Sequence, residues 1–246
     1  MSNLTRERKI FQGLLTAIIF FALAQHSTAA ASKAVVLFNG SDLSGWRTPT
    51  GDWMVAKSVG LDPANPQKFL LTVGLGVLVN GANGRTVNLM TETEFGDVKV
   101  HVEFCIPKHS NSGVYLMGRY EIQVYDSYSK EKDQYPGIEC GGIYPRWIGE
   151  KNVEGHSPRL NASKAPGEWQ SFDITFQAPR FDASGKKIAN ANFVKVVHNG
   201  KLIHKELELT GPTRAAQWED EKPSGPILLQ GDHGPVAYRN LRVERK

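Results

Sequence analysis

The side chains of this chain best suited to chemistry fall in residues 111–126, which read NSGVYLMGRYEIQVYD. Val114, Leu116, Ile122 and Val124 run out of phase with Tyr115, Glu121, Gln123 and Tyr125, the alternation of a half-buried strand. With a bend or tight turn at Gly118, Glu121, Gln123 and Tyr125 share one face while Ile122 and Val124 point into a core. A carboxylate able to move a proton, an amide able to bind hydroxyls and a phenol would then project from a rigid sheet. On these residues alone the face is either a site or a solvated surface.

The elements around it must decide how it is held. Strict alternation from Val98 to Ile106 predicts a second strand, ended by Pro107. The short turn at residues 108–112 predicts that the two strands are antiparallel neighbours. That pairing would put His101, Glu103 and Cys105 on the side of Glu121 and Gln123. It leaves open a divalent metal held by Glu121, His101 and Glu103, although no tight ligand spacing supports one. Residues 60–84 read as loop-rich, and Trp46 and Trp53 as core or rim aromatics. Residues 127–168 have little periodicity; Tyr128, Tyr135, Tyr144 and Trp147 favour an ordered, functional loop over a tail. Phe172, Ile174 and Phe176 alternate as a strand, and Asn199-Gly200 is a hairpin turn. The C-terminal GPILLQGDHGPVAYRNLRVE reads as two strands about a Gly-Asp-His-Gly turn. With no helical period and turns every ~8–12 residues, the pattern predicts one all-β antiparallel sandwich over residues 32–246.

Residues 1–31 are expected to be a signal peptide: Arg6, Arg8 and Lys9 precede an apolar run too short to span a bilayer, and Ala29-Ala30-Ala31 offers small residues for cleavage. The expected location is periplasmic or secreted, with no membrane association after cleavage. Removal leaves 26 basic and 24 acidic residues, a formal charge of +2. The scattered basic residues lack the footprint of a nucleic-acid binder. Cys105 and Cys140 would meet an oxidising compartment, and their pairing stays open.

The phased segments LFNGSDLSGW, TEFGDVKVHVEF, NSGVYLMGRYEIQVYDSY, CGGIY, PGEWQSFDITFQAPRF, HNG, GPT and GPILLQGDHGPVAYRNLRV resemble the 3-keto-disaccharide hydrolase family over roughly residues 35–244. The resemblance implies a jelly-roll sandwich of the concanavalin A-like lectin and glucanase type, with sugar on the concave sheet. It also implies action on small carbohydrates whose C3 hydroxyl is oxidised to a ketone. Such a ketone acidifies the C2 proton, so the glycosidic bond can break by proton abstraction, elimination and hydration. Gly231 is an insertion into what usually reads Leu-Gln-Asp-His-Gly.

That chemistry needs a base, an enolate stabiliser and an acid. Glu121 is the first candidate base or metal ligand. His233 and His198 are the histidine candidates, and Arg239 either stabilises an enolate or anchors Glu121 through an ion pair. Gln123, Gln230 and Asn111 would bind hydroxyls; Tyr115, Tyr144 and Trp169 are sugar platforms or core edges; Asp126 binds substrate or caps a turn. His109, His156 and His204 read as surface residues. EIQVYD also resembles the ExDxxE strand of jelly-roll glucanases, but Gln123 replaces the central carboxylate. An unbulged strand sets Glu121 and Asp126 on opposite faces, roughly 16 Å apart. Ordinary glycosidase chemistry is therefore the weaker enzymatic reading. The alternative of a different class is a non-catalytic carbohydrate-binding module: catalysis needs a titratable base and acid buried together, whereas binding needs only aromatics and amides.

Overall fold

The computed structural model describes residues 34–131 and 137–246. The expected signal peptide over residues 1–31 and Tyr135 lie outside the described residues. No helix among the described residues is long and apolar enough to cross a membrane.

The strands in chain order are β1 (Val35–Val36), β2 (Met54–Asp62), β3 (Asn65–Val79), β4 (Leu89–Phe95), β5 (Val98–Cys105), β6 (Asn111–Leu116), β7 (Tyr120–Tyr125), β8 (Arg146–Ile148), β9 (Lys151–Val153), β10 (Gln170–Gln177), β11 (Arg180–Phe181), β12 (Lys187–Ala189), β13 (Ala191–His198), β14 (Lys201–Leu209), β15 (Gly225–Leu229) and β16 (Ala237–Arg245). They build an eight-stranded sheet, β14-β13-β10-β5-β16-β3-β2 with β1 on β16, and a four-stranded sheet, β4-β15-β6-β7. Every pairing within the two sheets is antiparallel. The fold is the all-β sandwich that the alternation predicts.

The core lies between the two sheets. Val100, Val102, Phe104, Phe172, Ile174 and Phe176 of the larger sheet meet Val114, Leu116, Ile122, Val124 and Leu229 of the smaller. Trp46 and Trp53 join this core as expected. Asn199 and Gly200 turn β13 into β14 with φ of 49° and 78°, the left-handed values a two-residue hairpin requires.

Three sequence expectations are corrected. Of residues 60–84, read as loop-rich, those up to Val79 belong to a long β2–β3 hairpin, whose bulge at residues 73–76 disguises the pairing. Its inner face supplies Val59, Phe69 and Leu71 to a second small cluster on the outer side of the large sheet. Cys105 does face away from the main core but is buried in that cluster, and neither cysteine is paired. Next, β5 and β6 are not neighbours: the turn between them crosses from one sheet to the other, since β5 pairs with β10 and β16 while β6 pairs with β7 and β15. Finally, β15 and β16 form no hairpin; the Gly-Asp-His-Gly segment also passes between sheets.

Candidate functional site

Site geometry follows from the register of the small sheet. On its face away from the core, Met90 of β4 lies across from Leu228, Leu228 across from Tyr115, and Tyr115 across from Glu121. Residues 141–144 then add a further run of pairing along the edge of β7. Gly141 N donates to Gln123 O at 2.8 Å, Gln123 N to Gly142 O at 2.9 Å, and Tyr144 N to Glu121 O at 3.2 Å. The row therefore ends Tyr115, Glu121, Tyr144. The next row carries Gln230, Gly113 and Gln123, because Gln230 N bonds Gly113 O and Gly113 pairs with Gln123.

The turn at Met117-Gly118, with φ of 57° and 65°, sets the phase of β7 and so the face of Glu121. Thr213 locks the start of β7 just after that turn: Thr213 Oγ1 donates to Arg119 O and accepts from Glu121 N at 3.1 Å. Above the sheet, the Glu121 carboxyl lies over Gly113, where a β-carbon would overlap Glu121 Oε1. Gly113→Ala is therefore expected to swing the flexible carboxyl aside. Thermal melting should show only a small loss of stability, while kcat/KM falls about tenfold or more, because small misplacements of a reacting group are costly.

Glu121 is 2% exposed. Burial pushes its carboxyl up to about 8, and the negative charge of Asp232 adds to the rise against a hydrogen bond from Tyr115. Burial first, then Glu121, raises the Tyr115 and Tyr144 phenols too, so both remain protonated donors at neutral pH. Around them Asn111 Oδ1, Gln123 Oε1 and Gln230 Oε1 are buried with no hydrogen-bond partner among the described residues. Buried polar atoms are nearly always satisfied, so three orphans on one face mark a place built for a hydroxylated ligand. Gln230 Nε2 reaches the Tyr115 hydroxyl at 3.4 Å.

Asp232 lies close enough to the row for its charge to act on Glu121, and His233 Nδ1 is 2.6 Å from Asp232 Oδ1, both side chains about half exposed. Asp232 also lines a cleft with Asn88 and Met90 beside the Tyr115 end of the row. The inserted Gly231 fits there because a β-carbon would strike Val87 O.

The structure does not bring the other candidates here. His198 is fully buried in the inter-sheet core against Phe104 and Phe172, its Nε2 3.0 Å from Gln170 Oε1, and burial lowers it to about 3. Arg239 lies on the outer face of the large sheet, with Nε bonded to Glu103 at 2.6 Å and its guanidinium over Trp169, so neither Arg239 nor Trp169 reaches Glu121. Both readings of Arg239 are corrected: it neither faces an enolate nor anchors Glu121, and its ion pair is with Glu103. His101 and Glu103 sit on that same outer face, so the triad of Glu121, His101 and Glu103 does not form. Among the described residues no cluster of three His, Cys, Asp or Glu is placed for a metal. Asp126 caps a turn, accepting from His109 N at 2.9 Å and Tyr128 N at 3.4 Å.

Sequence reasoning also missed His204. It is buried rather than exposed, lowered by burial to about 4, and its Nε2 holds Gly141 O at 2.7 Å, which fixes the segment that delivers Tyr144. The Leu-Ile-His-Lys alternation of β14 gave no sign of it, because the β13–β14 register shifts between Val196 and Val197.

A β-sandwich presenting a buried carboxyl, two phenols and unpartnered amides on one sheet defines a carbohydrate-acting enzyme class. Solved structures of similar fold carry the same description. A chain from Parabacteroides distasonis ATCC 8503, provisionally designated a glycosyl hydrolase, is 27% identical with a TM-score of 0.65 over 87% of this chain and 84% of that one. A second such chain from the same organism shares the fold at 20% identity and a TM-score of 0.54, over 87% of this chain and 100% of its own. No curated protein matches the chain. The chain belongs to the 3-keto-alpha-glucoside-1,2-lyase-like domain family, whose model matches residues 33–244.

Proposed function

We propose that this protein, exported to the periplasm or beyond, cleaves 3-keto-glycosides by elimination across C1 and C2, followed by hydration. The observation that carries the reading is Glu121 itself, a titratable carboxyl buried between two protonated phenols and beside orphaned amides. A binding module has no need of such a carboxyl. The glucanase-like reading is disfavoured by Asp126, whose oxygens are occupied in capping.

The sugar ring lies over Gly113, its hydroxyls on Asn111, Gln123 and Gln230. Glu121 takes the C2 proton; the C2–H electron pair moves toward the C3 ketone, giving an enolate. A carboxylate with a raised pKa is the stronger base, which narrows its gap to a C–H acid. His233, oriented by Asp232, donates to the enolate oxygen at the Tyr115 end of the row. The enolate collapses to a C1–C2 double bond, expelling the leaving oxygen, which takes a proton from Tyr144 at the other end. Water then adds across that bond, its oxygen to C1 and a proton to C2.

The test compares a 3-keto-glucoside with its unoxidised parent. Only the keto sugar is expected to be cleaved, more slowly when deuterium replaces hydrogen at C2. Equal cleavage of both sugars, or cleavage of neither, overturns the reading.

A further inference from the structure

Beyond Tyr144 lies a second cleft, of about 380 Å³, that the chemistry above does not use. Arg146, Trp147, Thr213, Arg214 and Glu219 line it. It is joined to the Glu121 row through both of its walls. Thr213 Oγ1 holds the Glu121 amide, and Arg214 N donates at 2.8 Å to the carbonyl of Pro145, the residue after Tyr144.

Trp147, on the short β8–β9 hairpin, is the feature in need of explanation. The Arg214 guanidinium stands 4.0 Å from its ring centroid and covers one face, yet Trp147 remains 49% exposed. A large ring held in one orientation by a cation, with the rest of its surface in water, is a platform rather than a core residue. Arg214 is itself sparingly used: its side chain makes a long bond to Asn152 Oδ1 at 3.5 Å, which leaves most of its five donors free among the described residues. Arg146 is held out of competition by Glu154 and Thr210, in space that Gly211 leaves open.

An apolar ring face left open to solvent and held flat by a cation behind it is the chemistry that recognises the C–H face of a pyranose. Resting on the elimination reading, we propose that this cleft is the subsite for the leaving-group sugar: the face of Trp147 that Arg214 leaves free stacks on the ring, while Arg214 backs the indole and holds it in place. The position agrees with the chemistry, since the leaving oxygen departs past Tyr144 toward this side.

The purified protein, its Trp147→Ala variant and its Trp147→Phe variant are compared on a 3-keto-disaccharide and on methyl 3-keto-glucoside, which has no second ring. Trp147→Ala is expected to lose about tenfold in kcat/KM on the disaccharide, through KM, with the methyl glycoside unchanged. Trp147→Phe should recover most of the loss, which separates stacking from damage to the hairpin. Equal losses on both substrates, or no loss on the disaccharide, overturn the subsite. Calorimetric titration with the unoxidised disaccharide provides an arm independent of turnover. About tenfold weaker binding by Trp147→Ala supports the subsite even if keto sugars are not cleaved, and unchanged binding overturns it.

Discussion

Glu121→Gln is expected to lower turnover of a 3-keto-glucoside by about 10²–10⁴-fold, the range a positioned acid–base group contributes. The amide keeps the shape of the carboxyl and can still accept from Tyr115, so the sugar should bind with little change and the loss should fall on kcat. The parent enzyme should show the complementary signature in its pH profile. Its base works only when ionised, and burial holds Glu121 at about 8. Activity should therefore rise with pH through that value instead of levelling off near pH 5, where ordinary carboxylates finish titrating. Near-parental kcat in the glutamine variant, or a rate flat from pH 6 to 9, would remove Glu121 from the chemistry.

The same group is expected to shape stability, in the opposite sense. Between its unfolded value of 4.5 and its folded value near 8, the native protein holds a proton that the unfolded chain does not. Stability must fall as pH rises through that window. His198 and His204 act the other way: burial lowers them from 6.5 to about 3 and about 4, so the unfolded chain gains protons below 6.5 that the native state refuses. With these two and His156, which burial also lowers, against one carboxyl, stability rises from about pH 4.5 to 6.5, then declines on Glu121 alone. At 1.36 kcal/mol per unit the alkaline descent from pH 6.5 to 8 amounts to about 2 kcal/mol. Urea melts across pH 4.5 to 9 should show a maximum near 6.5, and Glu121→Gln should abolish the descent above it while leaving the acid limb in place. A descent that persists in the variant would assign it to another group.

What could be read from the chain, and what could not, follows from which signals are local. The phase of residues 111–126 is local, so Glu121 and Gln123 were placed on one face with Ile122 and Val124 in the core, as the structure has them. The Asn199-Gly200 turn and the Phe172, Ile174 and Phe176 stripe were legible for the same reason. Which sheet a strand joins is not local. The step from β5 to β6 looks like a hairpin in sequence and is a crossover in space, and that one error carried His101 and Glu103 toward a site they never approach. Arg239 was misplaced likewise, by reading β15 and β16 as a pair. Histidines were hard in another way: the inward direction of His198 depends on the register shift of β13 against β10 between Thr175 and Phe176, and that of His204 on the shift of β14 between Val196 and Val197. Tyr144 was named as a sugar platform or core edge, but its place beside Glu121 was not legible, since its pairing with β7 uses backbone groups that leave no periodic trace.

That pairing has a further meaning. β7 ends its sheet, and a bare edge offers unpaired amides and carbonyls to any passing strand, including that of another copy. Residues 141–144 close this edge with a stretch containing two glycines, too short and irregular to template a neighbour in turn. The segment that brings Tyr144 to the carboxyl thus also guards against self-association, and the guard hangs on the contact from His204 to Gly141. Replacing His204 with an apolar residue would remove the donor to Gly141 O, loosening the segment, disarming the reaction and uncovering the adhesive edge in a single event.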